Sequence, residues 1–553
     1  MVALLSKSCH TLVGLTAHCW DIFSYFSFKF IRSLGAVFQR SATAPLAPTV
    51  CVTDMPVPGL RELATAYRSG TLLPSSQLAA SLRRQKRSRH LNSFVTETPK
   101  LAEVAAAEAD RRLQEGRALG LLDGIPVSFK DNFCTAGVRT TCGSRMLEDF
   151  TAPYNATVVQ RCLDGGAVML GKTNLDEFAM GSGTLDSCHG ATRNPWCEEE
   201  WVVAGGSSGG SAVSVATGVV AASLGSDTGG SVRIPAAWCG VVSLKPTYGR
   251  LSRHGLVPLV NSLDCPGILT RTVGDAATML QCLEGEDSMD STSLRCAPTQ
   301  QLEAGVQGLR VGVPQEFLCE GMSPEVVEVW SRVAELLEQG GAEVVPVSLP
   351  HTELAIPCYS VLNPCEVASN MARYDGLEYG LRAAGAASTE DLYAQSRSQG
   401  FNEVVRGRVL AGNYFLLKEN YSRYYLQALK VRRLILEDYL EAWRSVDLLL
   451  TPVTLTDAPT LDNFSSQDNR TQTALQDFCT QPINLAGLPA LTLPAGLSAR
   501  GLPLAVQLVG PRLGEGGLLG VGAWLETRLE FRGLEVPDCE SSRLSSLRAS
   551  ASL

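Results

Sequence analysis

Histidine is scarce in this 553-residue chain: six in all, His10, His18, His90, His189, His254 and His351, each isolated. None has metal-ligand spacing, so no metal site is expected. The cysteines number 17, an odd count without a C-x-x-C pair, which argues against a secreted disulfide scaffold and for a reducing compartment. Charged residues are 19% and the net charge is −9, with no arginine-rich face visible. A chain that grips RNA phosphates unaided is usually basic, because affinity comes from neutralising phosphates, so strong direct RNA binding is not expected. Long uncharged apolar runs are missing too. Residues 19–38 are strongly apolar, but Asp21, Lys29 and Arg32 interrupt them, short of the roughly 18–20 residues a membrane span requires.

What is present is ample core material. Apolar residues make up 45% of the chain, and no Pro-rich or acidic stretch divides its middle. Helical spacing over residues 60–67, 74–87, 100–114, 156–162 and 323–338 alternates with short apolar strands at 125–129, 168–170 and 342–347. That alternation indicates an α/β architecture whose sheet faces are covered. Residues 404–442 read as one long helix, 201–204 as a strand, and 212–222 as a small-residue helix. The first 50 residues carry Lys7, Lys29, Arg32 and Arg40 against one acid, Asp21. Such a basic, acid-poor leader reads as a mitochondrial targeting segment. The expected organisation is therefore targeting segment 1–54, one large domain 55–535, and a Ser-rich flexible tail 536–553.

Two glycine-serine segments carry the chemistry: Gly205-Gly206-Ser207-Ser208-Gly209-Gly210-Ser211 and Asp227-Thr228-Gly229-Gly230-Ser231. Gly/Ser runs are often linkers, yet here apolar, non-linker residues flank both. Glycine lets the backbone approach a bound group and aims successive N–H groups into one concavity. A serine there can attack a carbonyl while neighbouring amides hold the oxyanion. Upstream, Gly124-Ile125-Pro126-Val127-Ser128-Phe129 delivers Lys130 at the end of an apolar run. Burial can strip such a lysine of its proton and make it a base. These are parts of an acyl-transfer site without histidine.

Two other patterns compete. Gly166-Ala167-Val168-Met169-Leu170-Gly171-Lys172-Thr173 has Walker A spacing, but a P-loop needs a flexible turn where this segment reads as a strand. Gly-x-Ser-x-Gly fits with Ser207 or Ser208 central, and that elbow demands a downstream acid and histidine, for which His254 and His351 are the candidates.

The G-I-P-x-x-x-K-D strand, the G-G-S-S-G-G-S loop and the D-T-G-G-S loop together resemble the amidase signature family. Within it, Lys172–Gly181, Ala372–Gly376, Asn484–Pro489 and Gly501–Gly510 are similar to segments of the branch formed by the A subunits of glutamyl-tRNA(Gln) amidotransferases. The likeness runs from about residue 58 to about residue 530. It implies a single α/β domain with a central mixed sheet between helices. It implies Ser231 as nucleophile, Ser207 as the middle serine after a cis peptide at Gly206–Ser207, and Lys130 as base. Backbone N–H groups of Thr228, Gly229 and Gly230 through Ser231 would hold the oxyanion. Glutamine would be the substrate, with Arg408 on its α-carboxylate, Asp477 on its α-ammonium and Tyr359 lining the pocket. No cofactor is implied in this chain. ATP and Mg would sit in a partner, as part of a heterotrimer with the B and C subunits that also meets Glu-tRNA(Gln), in the mitochondrial matrix and off the membrane. Two departures stand out: the family usually has paired basic residues before its conserved arginine, whereas Gly407 stands before Arg408 here, and Cys365-Glu366-Val367-Ala368-Ser369-Asn370 replaces A-E-A-S-S-N. A free-standing amidase on a small or lipid amide, and a silent scaffold, are the alternatives. Polar anchors at Arg408 and Asp477 oppose a lipid, and the intact serines and lysine oppose a scaffold.

Overall fold

The structure is a computed structural model that describes residues 57–300 and 304–534. The expected targeting segment 1–54 and the tail 536–553 lie outside the described residues. Among these residues the strands are β1 Phe94–Glu97, β2 Pro126–Lys130, β3 Val168–Thr173, β4 Ala222–Asp227, β5 Val242–Lys245 and β6 Cys265–Thr270, followed by β7 Arg310–Pro314, β8 Glu343–Val347, β9 Leu448–Pro452, β10 Ala490–Leu497 and β11 Pro503–Val509. They form one 11-stranded mixed sheet in the order β1-β3-β2-β4-β6-β5-β10-β11-β9-β7-β8. β2 lies between β3 and β4, parallel to both, while β4 meets β6 antiparallel.

Side-chain alternation shows why both faces are covered. Met169 joins one core cluster, while its neighbours Val168 and Leu170 join another on the opposite face. Ile268 and Leu269 split the same way. The first face packs the helices Val273–Leu283 and Glu515–Leu529; the second packs Pro74–Arg87, Pro99–Gln114 and Gly209–Ala216. The expected α/β class holds, with helices on both faces of a mixed sheet.

Three local readings need correction. Residues 404–442 break into Glu403–Leu416, Lys418–Tyr421 and Tyr425–Ala442, because Leu417 turns extended (φ −55, ψ 142). Residues 201–204 form only isolated bridges, Arg193 with Val203 and Val202 with Thr460. The small-residue helix stops at Ala216 and the chain re-enters the sheet as β4, which supplies Asp227. Small apolar residues suit a tightly packed helix and a buried strand equally, so periodicity cannot place that boundary.

Candidate active site

β2 ends on Lys130, and with helices on both sheet faces its side chain is buried, 0% exposed. Its Nζ lies 2.7 Å from Ser207 Oγ, 2.8 Å from Ser208 Oγ and 3.0 Å from Ser226 Oγ. Burial lowers the Lys130 pKa from the ordinary 10.5 to about 7, only partly opposed by the charges of Asp176, Asp227 and Asp264. Free amine is thus available near neutral pH.

Distance does not separate Ser207 from Ser208, but hydrogen-bond accounting does. Ser208 Oγ donates to Ser226 O at 3.2 Å, so it must accept from Lys130. Asn132 Nδ2 donates to Ser226 Oγ at 2.9 Å. Among the described residues, the Ser207 hydroxyl has Lys130 as its one partner, so its proton is free to point at the amine lone pair. The Gly206–Ser207 peptide is cis, as the family resemblance implied. Gly205 has φ +83, which a side chain would oppose, and Thr184 Oγ1 donates to its carbonyl at 2.8 Å. Asp176 in turn accepts the N–H groups of Thr184, Leu185 and Asp186, fixing the segment against which Gly206 packs.

Ser231 is half-buried, and its carbonyl accepts from Ser208 N at 3.1 Å, which ties the two serine loops together. The N–H groups from Thr228 through Gly229 and Gly230 to Ser231 reach no acceptor among the described residues, leaving a run of open donors beside the Ser231 hydroxyl. The loop is held from outside. Thr228 Oγ1 donates to Asp264 at 2.7 Å and Thr480 Oγ1 donates to Gly229 O at 2.6 Å. Asp227 forms a buried bidentate pair with Arg233, both bonds 3.1 Å, and accepts from Asn484 Nδ2 at 2.8 Å. Burial opposes charge on Asp227, but Arg233 outweighs it and its pKa is lowered.

Of the three expected anchors, Asp477 meets this loop directly, and Arg408 and Tyr359 lie within electrostatic reach of Asp477. Arg408, on Glu403–Leu416, reaches Asn363 Oδ1 at 3.2 Å, and Asn363 Nδ2 donates to the Tyr359 hydroxyl at 2.8 Å. Burial pushes the Tyr359 phenol up, and the neighbouring Arg408 charge pulls the other way. Asp477 is buried, and a Cβ built on Gly229 would lie 2.8 Å from its Oδ2. Its pKa rises to about 8, first from burial and then from Asp227, with Arg408 and Arg233 opposing. A buried carboxyl beside a guanidinium suits a ligand that carries one positive and one negative group. The Gly407 position faces open space, so the missing basic side chain leaves a gap rather than a clash.

The two competing patterns fail here. Val168–Thr173 of the Gly166–Thr173 segment forms β3 rather than a phosphate loop, and Lys172 is buried in an ion pair with Asp131 at 3.1 Å. His351 bonds Asp438 at 2.8 Å on Tyr425–Ala442, and His254 stacks on Tyr154, so neither serves a serine. Sequence reasoning missed Ser208, Ser226, Asn132 and Asn363. Ser208 and Asn132 lay inside or at the end of recognised motifs, but Ser226 and Asn363 carry no local signal.

Comparison with known proteins adds a second line. The amidase family model matches residues 77–519. The A subunit of mitochondrial glutamyl-tRNA(Gln) amidotransferase from Aedes aegypti is 52% identical over 481 residues, 85% of this chain and 97% of that protein. The Xenopus laevis protein of that name is 52% identical over 499 residues, covering 86% and 95%. Among solved structures, the A subunit of glutamyl-tRNA(Gln) amidotransferase from Thermotoga maritima superposes with a TM-score of 0.68 at 35% identity, covering 85% of this chain and 99% of that one. With the lysine–serine cluster at the end of β2, this chain belongs to the amidase signature family.

Proposed function

We propose that this chain is the glutamine-hydrolysing component of a mitochondrial glutamyl-tRNA(Gln) amidotransferase. The observation that carries the reading is a buried, deprotonatable Lys130 2.7 Å from Ser207, with the Asp477 carboxyl against Gly229 and within the field of the Arg408 charge. The names and high identity of the mitochondrial relatives support it.

In this reading Arg408 pairs with the α-carboxylate of glutamine and Asp477 with its α-ammonium, beside Tyr359. The side-chain amide then lies at Ser231. Ser231 Oγ attacks the amide carbon, its proton passes to Ser207, and the Ser207 proton passes to Lys130. The N–H groups of Thr228 to Ser231 hold the tetrahedral oxyanion. Lys130 returns its proton through Ser207 to the leaving nitrogen. The C–N bond breaks, ammonia departs, and a γ-glutamyl ester remains on Ser231. Water attacks the ester through the same relay and releases glutamate.

Ammonia then serves a partner. ATP and Mg belong to that partner, and the B and C subunits complete a heterotrimer that converts Glu-tRNA(Gln) to Gln-tRNA(Gln) in the matrix. The acidic charge fits tRNA binding mainly through the partner. A free-standing lipid amidase is opposed by the two charged anchors. Replacing Ser231 with Ala in the assembled enzyme abolishes glutamine hydrolysis while assembly and ammonia-dependent amidation persist. Recovery of a γ-glutamyl ester on another serine overturns the assignment.

A further inference from the structure

Gln481 stands one helical turn beyond Asp477, and its N–H donates to Asp477 O at 2.7 Å. Residues four apart project onto the same face, so both side chains leave the turn in one direction. That direction is the nucleophile loop. A Cβ built on Gly229 would overlap Gln481 Oε1 and lie 2.8 Å from Asp477 Oδ2. Gln481 is 0% exposed, yet neither its Oε1 nor its Nε2 has a hydrogen-bond partner among the described residues. A buried carboxamide with both ends unpaired is costly, and native proteins retain few such groups without a reason. The surroundings contrast with it. Thr480, the preceding residue, bonds Gly229 O, and Asn484, almost one turn on, bonds Asp227, so the polar side chains on either side of Gln481 are committed.

We propose that Gln481 is a substrate-positioning residue whose Oε1 accepts a hydrogen bond from the α-ammonium of glutamine, beside Asp477. The inference rests on the glutaminase reading and deepens it. An ammonium carries three N–H donors. A single carboxylate approached from one side leaves a donor unmatched, and the carbonyl of Gln481 lies next to that carboxylate. The pair selects for a free α-ammonium: an amide of similar length without one leaves both acceptors buried and unpaired.

The test is Gln481→Met, which keeps the shape and removes both polar atoms. In the assembled enzyme, KM is measured for glutamine and for glutaramate, the same molecule without its α-ammonium, alongside thermal unfolding of the chain without substrate. The proposal expects the glutamine KM to rise about 10-fold with kcat nearly unchanged, and the glutaramate KM to move less than about twofold. Unfolding temperature should hold or rise, since an unpaired polar group leaves the core. Equal losses on both substrates, or a lowered unfolding temperature with unchanged glutamine KM, overturn it and make Gln481 merely structural. A wild-type enzyme that fails to hydrolyse glutamine, or Asp477→Asn with an unaltered glutamine KM, would instead bring down the parent reading.

Discussion

Two buried groups of opposite type titrate close together, and their pH dependences separate cleanly. Lys130 must be neutral to take a proton, and burial sets its pKa at about 7. Asp477 must be charged to hold an ammonium, and burial sets its pKa at about 8 in the free enzyme. Once glutamine is bound, its ammonium keeps Asp477 ionised, so kcat reports Lys130 alone while kcat/KM reports both groups. At pH 6 neutral Lys130 falls to about one tenth and ionised Asp477 to about one hundredth. Relative to the alkaline plateau, kcat should drop about 10-fold and kcat/KM about 1,000-fold. Below pH 7 the log–log slopes approach one and two. Asp477→Asn should flatten the second slope to one. Stability gives an independent check on Lys130. Its folded pKa lies below the unfolded 10.5, so between about 7 and 10.5 the unfolded chain binds the extra proton and Lys130 contributes a rise of stability with pH, offset up to about pH 8 by the raised pKa of Asp477 and unopposed by it above that. The slope approaches about 1.4 kcal/mol per pH unit, and Lys130→Met should lose that rise. Glutamine hydrolysis and urea unfolding from pH 6 to 9 read both effects. A kcat that stays flat from pH 6 to 8 would refute a neutral-lysine relay.

If Arg408 holds the α-carboxylate as proposed, Arg408→Ala removes a charge-assisted contact and should raise the glutamine KM roughly 10- to 150-fold, with ammonia-dependent tRNA amidation spared. Unchanged steady-state KM would remove Arg408 from the pocket. Gly407 sits exposed inside Glu403–Leu416 with open space at its Cβ position, so Gly407→Ala should stabilise the chain by about 0.5–1 kcal/mol. Denaturant midpoints measure it, and a destabilised variant would mean that the gap serves a partner.

The legible parts were those whose meaning is local. Lys130 announces itself because an apolar strand must bury whatever ends it, and Ser207 and Ser231 because consecutive glycines permit unusual backbone. The alternation of strand and helix gave the layers but not the sheet order, since β4 pairs β6 and β5 pairs β10 across long separations. Ser226 was invisible because its role comes from facing Lys130 across β2 and β4, not from neighbours in sequence. The break at Leu417 escaped notice because helical spacing persists on both sides and no proline or glycine marks it. Gln481 drew no notice in the sequence; only burial beside Gly229 singles it out.

The pins on the nucleophile loop also govern when the site can exist. Arg233 reaches Thr480 O, 247 residues on, and Gln507 Oε1, 274 residues on. Thr480 closes on Gly229 across 251 residues and Asn484 on Asp227 across 257. A ribosome releases residue 231 long before any of these partners, and contacts of such separation form late because loop closure precedes their reward. A nascent or C-terminally shortened chain therefore holds its lysine and both serines without a shaped oxyanion loop. On the proposed reading, glutamine hydrolysis waits until the last strands have docked.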